Sequence, residues 1–201
     1  MCMNRFDPTR LSVAFTRCQR RARAWAGIVY RSSSVPYANR DDLLTGEGSR
    51  QHATRWCRAQ VCRIVYASLD VRTAIDEGIA HYRYYGHADA EGLPRVLAAA
   101  QVSLQRVLDL TQNATRRALG VTKEQLVGED WRACNQRGEE ALPQAIGRLA
   151  WDSVWWEGLL VPSAANPGGI NLLVFPGNQL PGSFLVAFNP DQLPSRPSRN
   201  P

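Results

Sequence analysis

The side chains of this 201-residue chain that can do chemistry are scattered, and none lies in a familiar catalytic string. There is no H-E-x-x-H, no G-x-S-x-G and no pair of metal-binding carboxylates. Gly46-Glu47-Gly48 is not the G-x-G-x-x-G that opens a nucleotide-binding helix, so no Rossmann site is expected. His52, His81 and His87 stand apart and read as surface or hydrogen-bonded histidines rather than ligands. What remains is an order of residues. Arg31 comes first, then the glycine-bracketed Thr45-Gly46-Glu47-Gly48-Ser49-Arg50, then Arg55-Trp56. Tyr66 follows, then Glu77, and much later Ser163 and Asn171. Arginines are planar, permanently charged donors suited to phosphate, and a carboxylate can oppose a developing positive charge.

Each of these residues also has a plain reading. Arg31 is then a surface charge at a strand end, and Tyr66 a core tyrosine with a bonded hydroxyl. Ser163 marks the end of a strand. Glu77 lies off the apolar stripe Val71, Ala74, Ile75 and Gly78 of its own helix, which makes it a solvated carboxylate by periodicity alone. Trp131, Trp151, Trp155 and Trp156 read as packing residues.

The elements that must position these side chains can be traced from local pattern. Residues 1–24 lack clear periodicity and read as a basic arm or a short peripheral helix. Ala26–Arg31 reads as a first strand, and Ser32–Arg50, rich in Ser, Pro, Asn, Asp and Gly, as a long loop with backbone bends at its glycines. Arg63–Ala67 is a second strand. Ser68 or Asp70 caps a helix over Val71–His81. A strand within Gln101–Leu110 ends at Asp109-Leu110, with a helix-like run over Pro94–Leu104 before it. Thr111 opens a helix that stops near Gly120. Thr122 and Gln125 form a capping box, and Glu139–Trp156 has helical spacing. Gly158–Ala164 and Ile170–Phe175 flank the turn Asn166-Pro167-Gly168-Gly169 and pair as a hairpin. Phe184–Phe188 is the last strand. Strands and helices without regular βαβ spacing predict an α+β fold in a single compact mixed domain over residues 26–191. A basic arm at 1–25 precedes it and a flexible tail at 192–201 follows.

Composition sets the outer limits. Hydrophobic residues make up 44% and charged residues 21%, enough for a core without staples. The five cysteines are odd in number and form no C-x-x-C, so they are expected to be free thiols in a cytoplasmic protein, with no disulfide and no metal. No apolar run approaches membrane-spanning length, and no secretory signal is expected. The net charge is +6, with a cluster at Arg17, Arg20, Arg21 and Arg23. It suits an acidic protein partner, a phosphorylated substrate or nucleic acid, or it is simply a solvated face.

Taken as an ordered set over Ala26 to Asp191, these residues resemble the RES-domain family, named for an Arg, a Glu and a Ser. Asp109-Leu110-Thr111 and Asp130-Trp131-Arg132 look like further family segments. The chain departs from the family's pattern at Ala53-Thr54, where members carry Gly-Gly, and at Cys57, where members carry Asn. A narrower cleft is expected there. The resemblance implies a fold similar to ADP-ribosyltransferases of the diphtheria-toxin type. It implies an enzyme that breaks the nicotinamide–ribose bond of NAD+ by hydrolysis, phosphorolysis or ADP-ribosyl transfer, with NAD+ as substrate and no resident cofactor or metal. Phosphate is then a possible co-substrate. It implies the toxin of a toxin–antitoxin pair, with a helix-turn-helix (Xre-like) antitoxin as partner in a hetero-oligomer. Neither membrane association nor direct DNA binding without the antitoxin is expected. On that reading Glu77, Arg31 and Tyr66 are catalytic, and Arg31, Arg55, Tyr66, Ser163, Asn171 and Tyr37 bind NAD+. The alternative is a non-catalytic basic module, a degenerate relative that docks an acidic partner or nucleic acid. Convergence of Arg31, Arg55, Tyr66 and Glu77 on one cleft separates the two.

Overall fold

The fold is organised around a long antiparallel ribbon, in a computed structural model that describes residues 6–40 and 42–194. Strand β1 (Arg23–Ser34) pairs along its length with β3 (Arg95–Asp109), from Trp25 opposite Leu104 to Ser34 opposite Arg95. Inward residues of β3 fall at period two, at Ala98, Ala100, Val102 and Leu104, all buried. That alternation overrides the helix-like run at 94–104, so β3 starts six residues earlier than expected at 101. Pairing with β3 likewise carries β1 through Ser32, Ser33 and Ser34, and the expected loop begins only after them.

The other strands bend this ribbon back on itself. β2 (Val65–Ser68) meets β1 at Tyr30 and Ser68 and runs antiparallel to β5 (Ile170–Val174). β5 forms the expected hairpin with β4 (Gly158–Pro162), and β4 lies parallel to the end of β3 at 107–109. β6 (Phe184–Ala187) pairs with β3 at 100–103. β1 thus touches both β2 and β3, so the sheet closes around an apolar interior of Val29, Val65, Ala67, Val102, Leu104, Leu172 and Val174.

Helices cover the outer face of β4 and β5. α1 (Pro8–Arg17), α2 (Glu47–Gln51) and α3 (Val71–Tyr84) precede β3. α4 (Asn113–Leu119), α5 (Lys123–Gly128), α6 (Trp131–Gln136) and α7 (Leu142–Asp152) follow it. α7 is shorter than the helix expected over 139–156. β4 is buried at every residue and β5 at all but its first, because this second core of Trp56, Ile146, Trp156 and Phe175 lies on their other side. The order of elements is α+β, as expected. No helix among the described residues is long and apolar enough to cross a membrane.

Some local expectations hold and others change. The basic arm includes α1, which buries Leu11 and Phe15, and Phe15 meets Trp156 edge-on at 6.0 Å. With β1 starting at Arg23, a boundary at residue 25 falls inside a strand. The tail from 192 lies mostly outside the described residues. The cysteines are not all free. A turn through Gln60, which takes a positive φ of 65°, brings the Cα atoms of Cys57 and Cys62 to 6.2 Å, within bridging reach, and the two form a disulfide. Cys134 is disulfide-bonded as well, and Cys18 is a buried free thiol. Gly46 does need glycine: its φ is +73° and an added Cβ would lie 2.8 Å from the Ile64 amide nitrogen. Gly48 does not, since it sits within α2 with open space beside it.

Candidate active site

A cavity of about 650 Å³ opens between α3, the ends of β1 and β2, the 53–55 segment and the start of α6. Arg31, Arg55, Tyr66, Glu77 and Asn171 all line it, so the four residues whose convergence was the test do converge.

Glu77 is placed by α3. Asp70 caps this helix, its carboxylate accepting from the Thr73 amide at 2.8 Å. The helix then lies against β1 at Gly78, where an added Cβ would come within 2.6 Å of Ser32 Oγ and 2.8 Å of Arg95 Nε. This close approach turns Thr73, Ala74 and Ile79 inward and Glu77 to the cleft. Val71 and Ile75 are exposed, so the expected apolar stripe selects the wrong face of the helix. Ala74 is the stripe residue that is buried in the manner expected.

One oxygen of Glu77 is held by neutral donors. Ser163 Oγ donates to Oε1 at 2.6 Å and Asn171 Nδ2 at 2.7 Å. Ser163 Oγ in turn accepts from the amides of Ala165 and Asn166, and Ser68 Oγ donates to Asn171 Oδ1 at 2.7 Å. The hairpin β4–β5 therefore fixes the carboxylate, with Ser163 just past the end of one strand and Asn171 near the start of the other. No side chain among the described residues is hydrogen-bonded to Oε2, so that oxygen is available to a ligand.

Arg31 and Arg55 are half-buried and have no carboxylate partner among the described residues. Arg31 donates from Nη1 to the Tyr66 carbonyl at 2.7 Å, while its Nε is buried with no acceptor. Burial, then the charge of Arg95, pull its guanidinium down to about 10, so it is still charged at neutral pH. Arg55 donates to the carbonyls of Glu129 and Leu126 at 2.9 and 3.3 Å. Burial lowers its pKa, Glu77 opposes that shift, and the positive charge of Arg132 adds to it. Tyr66 contributes its ring rather than its hydroxyl. The hydroxyl forms a short hydrogen bond with Thr54 Oγ1 and accepts from the Trp56 amide at 3.2 Å. Burial pushes the phenol pKa up, so it stays neutral. Thr54, one of the departures from the family's pattern, thus holds the tyrosine, and Ala53 beside it forms part of the cavity wall.

Tyr37 is not brought in. It lies in a 3₁₀ turn after β1, is 60% exposed, and does not line the cavity. Ser163 lies one hydrogen bond away from the cavity, behind Glu77. Several lining residues were not assigned to the site from the sequence: Tyr30, Ser32, Thr54, Arg95 and Arg132. Trp131 also lines the cavity, contrary to its reading as packing, as does His81. Position beside Arg31 is the only sequence signal for Tyr30, and nothing local marks Arg95. Among the described residues no group of three His, Cys, Asp or Glu is arranged for a metal.

Comparison with known proteins finds relatives of the chain. The NAD(+) phosphorylases MbcT of Mycobacterium tuberculosis and Mycobacterium bovis are each 30% identical over 156 residues, covering 75% of this chain and 73% of theirs. The crystal structure of the M. tuberculosis MbcT–MbcA toxin–antitoxin complex contains a similar fold. Its TM-score is 0.63 at 24% identity, with 90% of this chain and 93% of that one covered. The model of the RES domain matches residues 28–192, and the chain belongs to that family.

Proposed function

We propose that this protein is an enzyme that cleaves the nicotinamide–ribose bond of NAD+, transfers ADP-ribose to phosphate, and acts as the toxin of a toxin–antitoxin pair. The observation that carries the reading is the setting of Glu77, a carboxylate fixed by a hydroxyl and an amide in a cavity whose other charges are arginines. Arg31 and Arg55 would take the pyrophosphate, and Tyr66 offers a ring to the cationic nicotinamide. On cleavage the C–N bonding electrons pass to the ring nitrogen, nicotinamide leaves neutral, and positive charge remains on the ribose. The free oxygen of Glu77 stabilises that charge more than it does the bound substrate, which is what accelerates the step. An oxygen of the phosphate dianion then bonds to the sugar carbon, giving ADP-ribose 1″-phosphate. Phosphate is favoured over water or a protein acceptor because the matching relatives bear the name NAD(+) phosphorylase.

Depletion of NAD+ in the cytoplasm would need a partner to restrain it. The basic chain suits a small acidic antitoxin segment entering the cleft, of helix-turn-helix type, and the similar MbcT fold is one component of a toxin–antitoxin complex. The test is to incubate purified protein with NAD+, with and without inorganic phosphate, and to identify the products. Phosphate-dependent nicotinamide release with a sugar 1-phosphate is expected. No release under either condition would refute the reading. Expression without a partner should lower cellular NAD+ and stop growth.

A further inference from the structure

Phosphorolysis needs two anions in one cleft, the NAD+ pyrophosphate and the acceptor, and holding both takes more than the two arginines Arg31 and Arg55. Five arginines line the cavity. Arg83 is neutralised by Asp76 at 2.9 Å and Asp89 at 2.7 Å. Among the described residues Arg31, Arg55, Arg95 and Arg132 are in no ion pair. Among the residues that line the cavity, these four guanidinium groups face one carboxylate, Glu77, an excess of positive charge greater than the single net negative charge of NAD+.

Arg132 is built to receive it. Its guanidinium carbon lies 4.3 Å from the ring centroid of Tyr84 and 4.2 Å from that of Trp131. Stacking on rings engages the face of the guanidinium and leaves its five in-plane N–H donors for other partners, of which the Tyr85 phenol takes a share. Asp130, next in sequence but one, is occupied by the Tyr84 hydroxyl at 3.0 Å and the Ala133 amide at 3.1 Å. Arg132 also stands on the wall between the main cavity and a second recess of about 740 Å³. That recess is lined by His52, Ala53, His81, Tyr85, Trp131, Arg132, Asn135 and Gln136, with no carboxylate in the lining among the described residues. Arg55 lines the same cavity as Arg132, whose positive charge helps to lower the Arg55 pKa. Two arginines held together without an anion are stabilised by one that binds between them.

We propose that Arg132, stacked on Tyr84 and Trp131 and acting with Arg55, forms a phosphoryl-binding subsite where the second recess joins the cleft. This rests on the NAD+-cleaving reading above. The phosphoryl group comes either from free inorganic phosphate as acceptor or from the NAD+ pyrophosphate, and the charge balance favours the acceptor.

Initial rates of nicotinamide release, with inorganic phosphate and NAD+ varied in turn, test this on the full-length protein and Arg132→Gln. A rise of about tenfold or more in the KM for inorganic phosphate is expected, the usual cost of a lost charge-assisted contact. A comparable rise confined to the KM for NAD+ also supports the subsite and assigns it to the pyrophosphate. If both KM values stay at the wild-type level, the proposal is overturned. Where Arg132→Gln fails to fold, Arg132→Lys keeps the charge but loses the stacked planar fork, and it too must raise one of the two KM values. Should the wild-type protein release no nicotinamide, the NAD+ reading fails separately. The subsite is then tested by calorimetric titration with inorganic phosphate, where equal binding by wild type and Arg132→Gln overturns it.

Discussion

Two neighbouring carboxylates on α3 are treated in opposite ways. Asp76 is buried, and Arg72 Nε at 2.6 Å and Arg83 Nη1 at 2.9 Å neutralise it, with Arg83 continuing to Asp89. Glu77, one residue on, receives only neutral donors from Ser163 and Asn171. Two of the arginines that share its cavity point donors at backbone carbonyls instead: Arg31 at Tyr66, and Arg55 at Leu126 and Glu129. A guanidinium bonded to Glu77 would cancel the charge that a ribosyl cation needs. A hydroxyl and an amide fix the carboxylate in place and leave its charge intact. A fully buried carboxylate, Glu157, makes the same point from the scaffold side. It accepts from the amides of Gln105, Arg106 and Leu180, uses both oxygens, and so has none to offer a ligand.

The strongest way to break this contrast is to remove the charge of Glu77 while keeping its shape. Glu77→Gln should lower kcat by about 10²–10³, because the charge matters chiefly when the ribose becomes cationic. NAD+ affinity should change far less, and the melting temperature should hold, since the Gln carbonyl still accepts from Ser163 and Asn171. Nicotinamide release at saturating NAD+ measures this, and equal rates for the two proteins would remove Glu77 from the mechanism. Next in size is Arg31→Ala. The pyrophosphate charge is present in both ground and transition states, so the loss should appear as a KM for NAD+ raised about 10–100-fold, with kcat falling much less. Arg31→Lys, which keeps charge but not the planar fork, should fall between. A defect confined to kcat would mean that Arg31 does not bind the pyrophosphate.

The sequence was informative about order and less so about faces. The β4–β5 hairpin was legible because an apolar run, a strong turn and another apolar run leave little choice, and it delivers Ser163 and Asn171 to Glu77. The Thr122–Gln125 capping box was equally legible, each side chain bonding the other's amide at 2.8 and 3.2 Å. Helical periodicity failed at α3 because the helix buries Thr73, Asp76 and a glycine contact, all invisible to a hydrophobic stripe. Arg95 and Arg132 were not picked out as site residues because each reaches the cleft through pairing or stacking distant in sequence: β3 against β1 for the first, Tyr84 for the second. Tyr37 was over-read from loose position in a loop. The disulfide between Cys57 and Cys62 was missed because an odd cysteine count says nothing about a turn that draws two of them together.

The smallest effect comes from the other member of the pair. The pKa of Asp76 is driven up by burial, but hydrogen bonds from Arg72 and Arg83 outweigh this and bring it below its ordinary 3.8. A carboxyl whose pKa is lower in the folded than in the unfolded chain stabilises the fold at every pH above the unfolded value. That contribution is lost as pH falls through the folded value. Arg72 and Arg83 are largely solvent-accessible, at 76% and 39% for their side chains, so screening keeps the contribution to about 1 kcal/mol. Asp76→Asn should therefore lower the melting temperature by a constant few degrees across pH 5–8. The gap to wild type should begin to narrow as pH falls below 3.8 and close below the lowered folded value, where the wild-type carboxyl is also neutral. Adding salt should narrow it at neutral pH as well. Melting curves of both proteins over this range decide the matter. A gap that persists undiminished at pH 2.5 would show that Asp76 acts through packing rather than charge, and the contrast with Glu77 would then lose its electrostatic basis.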